Sequence, residues 1–264
     1  MNSQGKKAYL FYIDVVMAFI TTERELCLAG ESERAGDLDV CWIVDLGRRS
    51  YREAMQLQSY VVACRKLNQV PDCLLIVEHP HIVTLGRSGD LSHLLVPQAE
   101  LEKRGVDFQV VDRGGDITYH GPGQLVAYPI MDLKCQHRDI GRYLRQLESC
   151  TINTLEMFGI RSERVSGATG VWVGDKKIAA IGVRTSQWVT SHGVALNVNT
   201  DLRYFRFIVP CGLCSKEVTS MQEVLETPIE IRLVTQRFCS CFGRVFSRNL
   251  QALPEVDAFP GYKI

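Results

Sequence analysis

The strongest constraint on this chain lies in one stretch, Arg113-Gly-Gly-Asp-Ile-Thr-Tyr-His-Gly-Pro-Gly-Gln-Leu-Val-Ala-Tyr-Pro129. Four glycines lie among Arg113, Asp116, Thr118, Tyr119, His120 and Gln124. Residues without a Cβ let a ligand approach the main chain, and Pro122 stiffens a segment that would otherwise be floppy. The stretch predicts a rigid, polar, open-faced loop entering a strand at 124–130. The bland alternative is a tight connection whose polar side chains satisfy their own backbone. A phosphate cradle fits less well, because the glycine spacing matches neither G-x-G-x-x-G nor G-x-x-x-x-G-K-[ST].

Around this stretch the chain alternates short apolar runs with helical periodicity. Cys41–Leu46 reads as a strand. Ser50 can cap a helix running to about Leu67, with Ala54, Leu57, Val61 and Cys64 on one face. Cys73–Glu78 and Ile82–Leu85 are β-rich and separated by His79-Pro80-His81, a hairpin signal. The two histidines have no third ligand at metal spacing and read as turn residues. Pro97 and Gly105 bracket a short helix, with Pro97 at its first position. The run 106–112 is the strand that delivers the glycine-rich loop.

Downstream, Ile140, Leu144, Leu147, Thr151, Leu155 and Phe158 recur at helical spacing, and Gly159 stops that helix. Arg138, Arg142 and Arg145, with Lys134, give it a basic side. That side is either a solvated face or a docking surface for an acidic partner. Strands are expected at 169–174 and 177–185 around a Gly174-Asp175 turn, and at 188–199. Thr227-Pro-Ile-Glu230 reads as a capping box opening a helix with Ile231, Val234, Phe238 and Phe242 inside. Hairpins mixed with helices, without regular βαβ alternation, predict one mixed α/β (α+β) domain whose sheet is largely antiparallel and flanked by helices. We place that domain at 40–250, after an N-terminal extension at 1–39 and before a tail at 251–264.

Lys+Arg and Asp+Glu are both 30, so the chain has no global charge to attract nucleic acid or an anionic membrane. The apolar run Ala8–Ile20 is interrupted by Asp14, lacks a small-residue cleavage site, and is too short to span a bilayer. Ten cysteines scattered through 264 residues are expected as reduced thiols in a cytosol-like compartment. Cys64, Cys150, Cys239 and Cys241 fall on expected helices and read as small buried hydrophobes.

Cys211 differs, because Pro210 fixes the chain entering it and Gly212 removes bulk on the leaving side. A thiol becomes nucleophilic when its proton is taken or its thiolate is stabilised by a cation, and Lys177 lies on the strand pair expected to face this site. Three readings stay open for Cys211: a nucleophile, a structural thiol, and a zinc or redox partner of Cys214. The C-x-x-C lacks the βαβ context of a redox pair, and Cys239-Ser-Cys241 points its thiols roughly 200° apart on a helix.

The stretches Arg113–Gln124, Thr169–Gly182, Ser191–Asn197 and Pro210–Gly212, taken together and in this order, resemble the octanoyltransferase (lipoyl(octanoyl) transferase) family. Val209 departs from the Asn common before Pro-Cys-Gly in that family, and residues 1–39 lie outside the resemblance. It implies a fold similar to biotin and lipoate protein ligase catalytic domains. It also implies an octanoyl donor held as a thioester on acyl carrier protein. The implied acceptor is a lysine of the lipoyl domain of a 2-oxoacid dehydrogenase or of glycine-cleavage H protein.

By motif position Cys211 looks like the acyl-thioester nucleophile and Lys177 like its activating base, which later deprotonates the incoming lysine. Substrate-binding segments fall on Arg113, Gly114, Gly115, Asp116, Ile117, Thr118, Tyr119 and His120, on Ala180, Ile181 and Gly182, and on Gly193, Val194 and Ala195. The small residues of the last two suit a narrow apolar channel. No metal or cofactor is implied, and a monomer in the bacterial cytoplasm is expected. Two rivals stand beside this reading: an ATP-dependent lipoate or biotin ligase on the same fold, and a non-catalytic binder of lipoyl domains.

Overall fold

Ser50 opens the first helix, α1 (Tyr51–Lys66), through a reciprocal cap. Its hydroxyl accepts from the Glu53 N–H at 3.3 Å, and the Glu53 carboxylate accepts from the Ser50 N–H at 3.0 Å. Tyr51, Ala54, Leu57, Val61 and Cys64 form its buried face. The structure, a computed structural model, describes residues 39–135, 138–209, 217–253 and 259.

The strands are β1 (Asp39–Arg48), β2 (Asp72–Glu78), β3 (Ile82–Leu85), β4 (Asp107–Val110), β5 (Ile117–His120) and β6 (Gln124–Ile130). Then follow β7 (Glu163–Val165), β8 (Ala168–Val173), β9 (Lys176–Ser186), β10 (Val189–Asn197) and β11 (Arg248–Ala252). Eight of them form one sheet in the order β11-β1-β2-β6-β10-β9-β8-β7. The β11–β1 and β1–β2 pairings are parallel and the other five antiparallel, as expected.

The expected β2–β3 hairpin does not form. β2 lies inside the large sheet between β1 and β6, whereas β3 is the centre of a second sheet, β4-β3-β5. Both strands are buried along nearly their whole length, and such unbroken apolar runs belong to interior strands rather than to an alternating hairpin.

On one face of the large sheet lie α3 (Ile140–Glu156) and α5 (Ile231–Phe246), sharing a core of Leu147, Cys150, Val234, Phe238 and Phe242. Each fully buried Leu or Phe there contributes about 1.5–3 kcal/mol. Asp139 caps α3 by accepting from the Arg142 N–H at 3.0 Å. Ile140, expected inside, is 38% exposed, and Tyr143 takes the inward position.

The capping box expected at Thr227 is also absent. Glu230 is the N-cap of α5 and makes no side-chain cap bond. The Asn199 side chain bonds both the N–H and the C=O of Ile229, at 2.9 and 2.7 Å, and keeps the chain before the helix out of it. Helix α4 (Met221–Leu225) precedes it. Helix α2 (Gln98–Lys103), with Pro97 as N-cap rather than first residue, covers the small sheet together with a 3-10 segment, Leu202–Phe207.

The cysteines expected to be buried are buried, and burial pushes the Cys239 thiol up to about 12. Arg145 keeps about half of its side chain exposed but is already paired within the protein. It pairs at 2.8 Å with Glu148, a fully buried carboxylate that Arg164 also holds at 3.0 Å, so only part of the expected basic face is free for a partner. No helix among the described residues is long and apolar enough to cross a membrane.

Candidate active site

The loop 113–116 folds down onto the large sheet because two backbones come into direct contact. Gly114 N–H donates to the Val183 carbonyl at 2.9 Å. A Cβ on Gly182 would stand 2.8 Å from the Gly114 oxygen, so only glycine lets the loop lie on β9. A Cβ on Gly193 would stand 2.3 Å from the Ala127 oxygen. At both positions backbone packing, rather than the width of an acyl channel, requires the small residue.

Arg113 serves the same fold-back. Its buried guanidinium donates to the Thr84 carbonyl and hydroxyl, both at 2.9 Å, and to Gly114 O at 3.1 Å. Much of the loop's polarity is therefore spent on its own scaffold, as the bland alternative supposed. The second half of the stretch is not loop at all: Ile117–His120 is β5, paired antiparallel with β3.

Between the loop and β5 on one side and β9 and β10 on the other lies a cavity of about 660 Å³, a volume typical of small-molecule sites. Arg113, Gly114, Gly115, Asp116, Ile117, Thr118 and His120 line one wall. Lys177, Ala180, Ile181, Gly182, Gly193, Val194 and Ala195 line the other. Tyr119 does not line it. Strand alternation turns its side chain to the far face of β5, where it is fully buried and meets His81 Nδ1 at 2.6 Å.

The same alternation separates the two lysines. Lys177 is 8% exposed, lines the cavity, and holds Nζ 4.8 Å from the centre of the Trp172 ring, an attractive position for a cation. Lys176 pairs on the outside with Glu217 at 2.9 Å. The Lys177 backbone donates to Glu217 O at 2.9 Å and accepts from Thr219 N–H at 3.0 Å. Cys211 and Cys214 lie outside the described residues. The chain before them is held where Val209 N–H donates to His93 O at 2.8 Å.

Residues 50–243 match the lipoyl protein ligase A/B catalytic domain. An octanoyltransferase of Solibacter usitatus is 52% identical over 214 residues, covering 81% of this chain and 96% of that protein. This chain belongs to the octanoyltransferase family.

A second octanoyltransferase, from Caldicellulosiruptor bescii, is 42% identical over 229 residues, 86% of this chain and 99% of its own length. Among solved structures, a bi-partite lipoate protein ligase described with its E2 lipoyl domain from Thermoplasma acidophilum superposes with a TM-score of 0.66. It covers 83% of this chain and 89% of that chain at 18% identity. That likeness shows the shared fold, which is the one expected.

Several cavity residues of this octanoyltransferase-family chain escaped the sequence. His93, Tyr51, Tyr128 and His192 come from four separate elements, and no local spacing signals their convergence. Three of them extend a buried hydrogen-bonded chain. His79 Nδ1–H donates to Arg49 O at 2.9 Å, and its Nε2 accepts from Tyr128 OH at 2.8 Å. Tyr51 OH lies 3.5 Å from His192 Nδ1, and His192 Nε2 meets Asp112 at 2.9 Å. Both ring nitrogens of His79 are thus occupied by hydrogen bonds.

Burial holds His79 down at about 4, from an ordinary value near 6.5, against the opposing pull of its bond to Arg49. The unfolded chain therefore takes up this proton first as the pH falls. The stability due to neutral His79 is complete above about pH 6.5 and is lost progressively toward pH 4, on the order of 3 kcal/mol in all. Denaturant unfolding at pH 7 and pH 5 should show the native protein losing stability, and His79→Gln should lose measurably less over that interval. An equal pH dependence in the variant would assign the effect elsewhere.

Proposed function

We propose that the chain transfers an octanoyl group from octanoyl-acyl carrier protein to a specific lysine of lipoyl domains, in 2-oxoacid dehydrogenase E2 subunits and H protein. The route is an acyl thioester on Cys211, and the setting is the bacterial cytoplasm. The observation that carries this reading is Lys177. Its side chain is buried in the cavity wall against Trp172, while its backbone is bonded to the chain at Glu217–Thr219, which begins five positions after the Pro-Cys-Gly segment. Val209, before that segment, is bonded to His93, another cavity residue. Both flanks of Cys211 are thus tied to groups that face the same cavity.

Exchange of an acyl group between two thiols is nearly balanced in energy, and its later transfer to an amine is downhill because an amide is more stable than a thioester. No nucleotide is required. Lys177 stabilises or generates the Cys211 thiolate. Arg113–Thr118 and His120, with Ala180–Gly182 and Gly193–Ala195, enclose the substrate.

Octanoyl-carrier protein alone, without ATP or magnesium, should add one octanoyl group to the protein, read by intact mass. Hydroxylamine should cleave it, peptide mapping should put it on Cys211, and an apo lipoyl domain should discharge it. Cys211→Ala should form no adduct, and Cys214→Ala should remain active. A requirement for ATP, or transfer that survives Cys211→Ala, would replace this reading with a ligase.

A further inference from the structure

Lys177 shares the cavity with a second proton-transfer group. His93 ends the 3-10 turn Leu91–His93, lines the cavity, and keeps 29% of its side chain exposed. Its Nδ1 lies 2.6 Å from Asp116 Oδ2. The other oxygen of Asp116 accepts from the Asp90 N–H at 3.3 Å, so the carboxylate is fixed in place. A neutral imidazole facing a carboxylate must keep its one proton on Nδ1, which leaves Nε2 as the proton-accepting nitrogen. Among the described residues only Asp116 bonds the ring through a side chain. The pair is also anchored to the chain that enters 210–216: His93 O accepts from Val209 N–H, and Leu94 bridges Ile208.

The proposed reaction asks for two different proton removals, one from a thiol and one from the ammonium of the incoming lysine, which is unreactive while charged. The aromatic face under Lys177 attracts a cation, which suits Lys177 to the thiolate. We infer that His93 is the base for the second removal, with Asp116 fixing its tautomer. This rests on the thioester reading above, and it moves the amine step away from Lys177.

His93 Nε2 takes one proton from the ammonium. The freed nitrogen lone pair forms the C–N bond at the thioester carbonyl, and collapse breaks the C–S bond. The second nitrogen proton goes to the departing thiolate, and the imidazolium returns its proton to solvent. The charges around His93 are Asp90 on its own turn, Asp116 on the loop, and Arg113 and Lys177 in the cavity walls.

Single-turnover measurements on the full chain separate the steps. With His93→Gln, formation of the octanoyl adduct should slow far less than its discharge. Its discharge by an apo lipoyl domain should slow roughly a hundredfold and recover as the pH is raised. Hydroxylamine, an amine uncharged at neutral pH, needs no base and should discharge wild-type and variant adducts at equal rates.

Asp116→Asn is the second variant. Its Oδ1 can keep the Asp90 bond while its amide N–H faces Nδ1, which drives the ring proton to Nε2 and should reproduce the discharge defect. Three results would each overturn the assignment: equally slowed acylation, unchanged discharge to the lipoyl domain, or hydroxylamine discharge slowed as much as the lysine reaction. Absence of any adduct in the wild-type protein would reject the thioester reading, and this inference with it.

Discussion

Lys177→Ala should lower octanoyl transfer by roughly a thousandfold or more, while Lys176→Ala leaves most of it. The two are neighbours in sequence and differ in chemistry only through the pleat of β9. Lys177 is buried in the cavity wall over Trp172, and Lys176 reaches outward to Glu217. Losing an exposed pair such as Lys176–Glu217 costs little stability, so that variant should unfold almost like wild type. Initial rates at saturating octanoyl-carrier protein and apo lipoyl domain, with circular dichroism to confirm folding, decide the matter. Comparable losses in both variants would remove Lys177 from its assigned role. Lys177→Arg is a sharper version, because it keeps a positive charge but cannot accept a proton at neutral pH. If Lys177 acts as a fixed cation toward the thiolate, the arginine variant should retain part of the acylation rate.

The largest effect on stability is expected at Asp72. This buried carboxylate accepts from Arg65 Nε at 2.8 Å, from Arg248 Nε and Nη2 at 3.0 and 2.8 Å, and from the Asp132 backbone N–H at 3.0 Å. It thereby ties the end of α1, the start of β11 and the chain leaving β6 to the first residue of β2. Asp72→Ala takes away the charge that the buried guanidinium of Arg248 and the largely buried one of Arg65 share. Removing one member of such a cluster costs about 3–5 kcal/mol, equivalent to roughly 10 °C in Tm for a domain of this size. Asp72→Asn keeps the shape and should lose less. Asp72 lies outside the cavity, so the folded fraction of either variant should transfer at the wild-type rate. Thermal unfolding followed by circular dichroism measures the first effect, and rate per folded molecule the second. A Tm within about 2 °C of wild type in Asp72→Ala would show that the cluster contributes little.

Some of this protein was written locally in its sequence, and those features survive in the structure. The Ser50–Glu53 cap, the Gly159 stop and the inward stripe of α5 each need only residues a few positions apart. Strand alternation likewise separates Lys177 from Lys176 without knowledge of the fold. The same rule was available for Tyr119, which shares β5 with Thr118 and His120 but packs on the other side. The glycines on both sides of 117–120 signal a loop up to the strand at 124, and nothing local announces β5 between them.

What the tertiary structure decided is everything that depends on residues distant in the chain. It sent β2 and β3 to different sheets, because both are buried on two sides and neither presents the polar face of a hairpin. It opened α5 at Ile231 rather than at Thr227, because Asn199, thirty positions earlier, takes both backbone groups of Ile229. It set the glycines at 182 and 193 by the approach of other backbones, which no spacing along the chain encodes. It also brought His93 to Asp116 across 23 positions. A short polar residue in an irregular turn carries no periodic signal, so that pair exists only once β3 and β5 have come together in the small sheet.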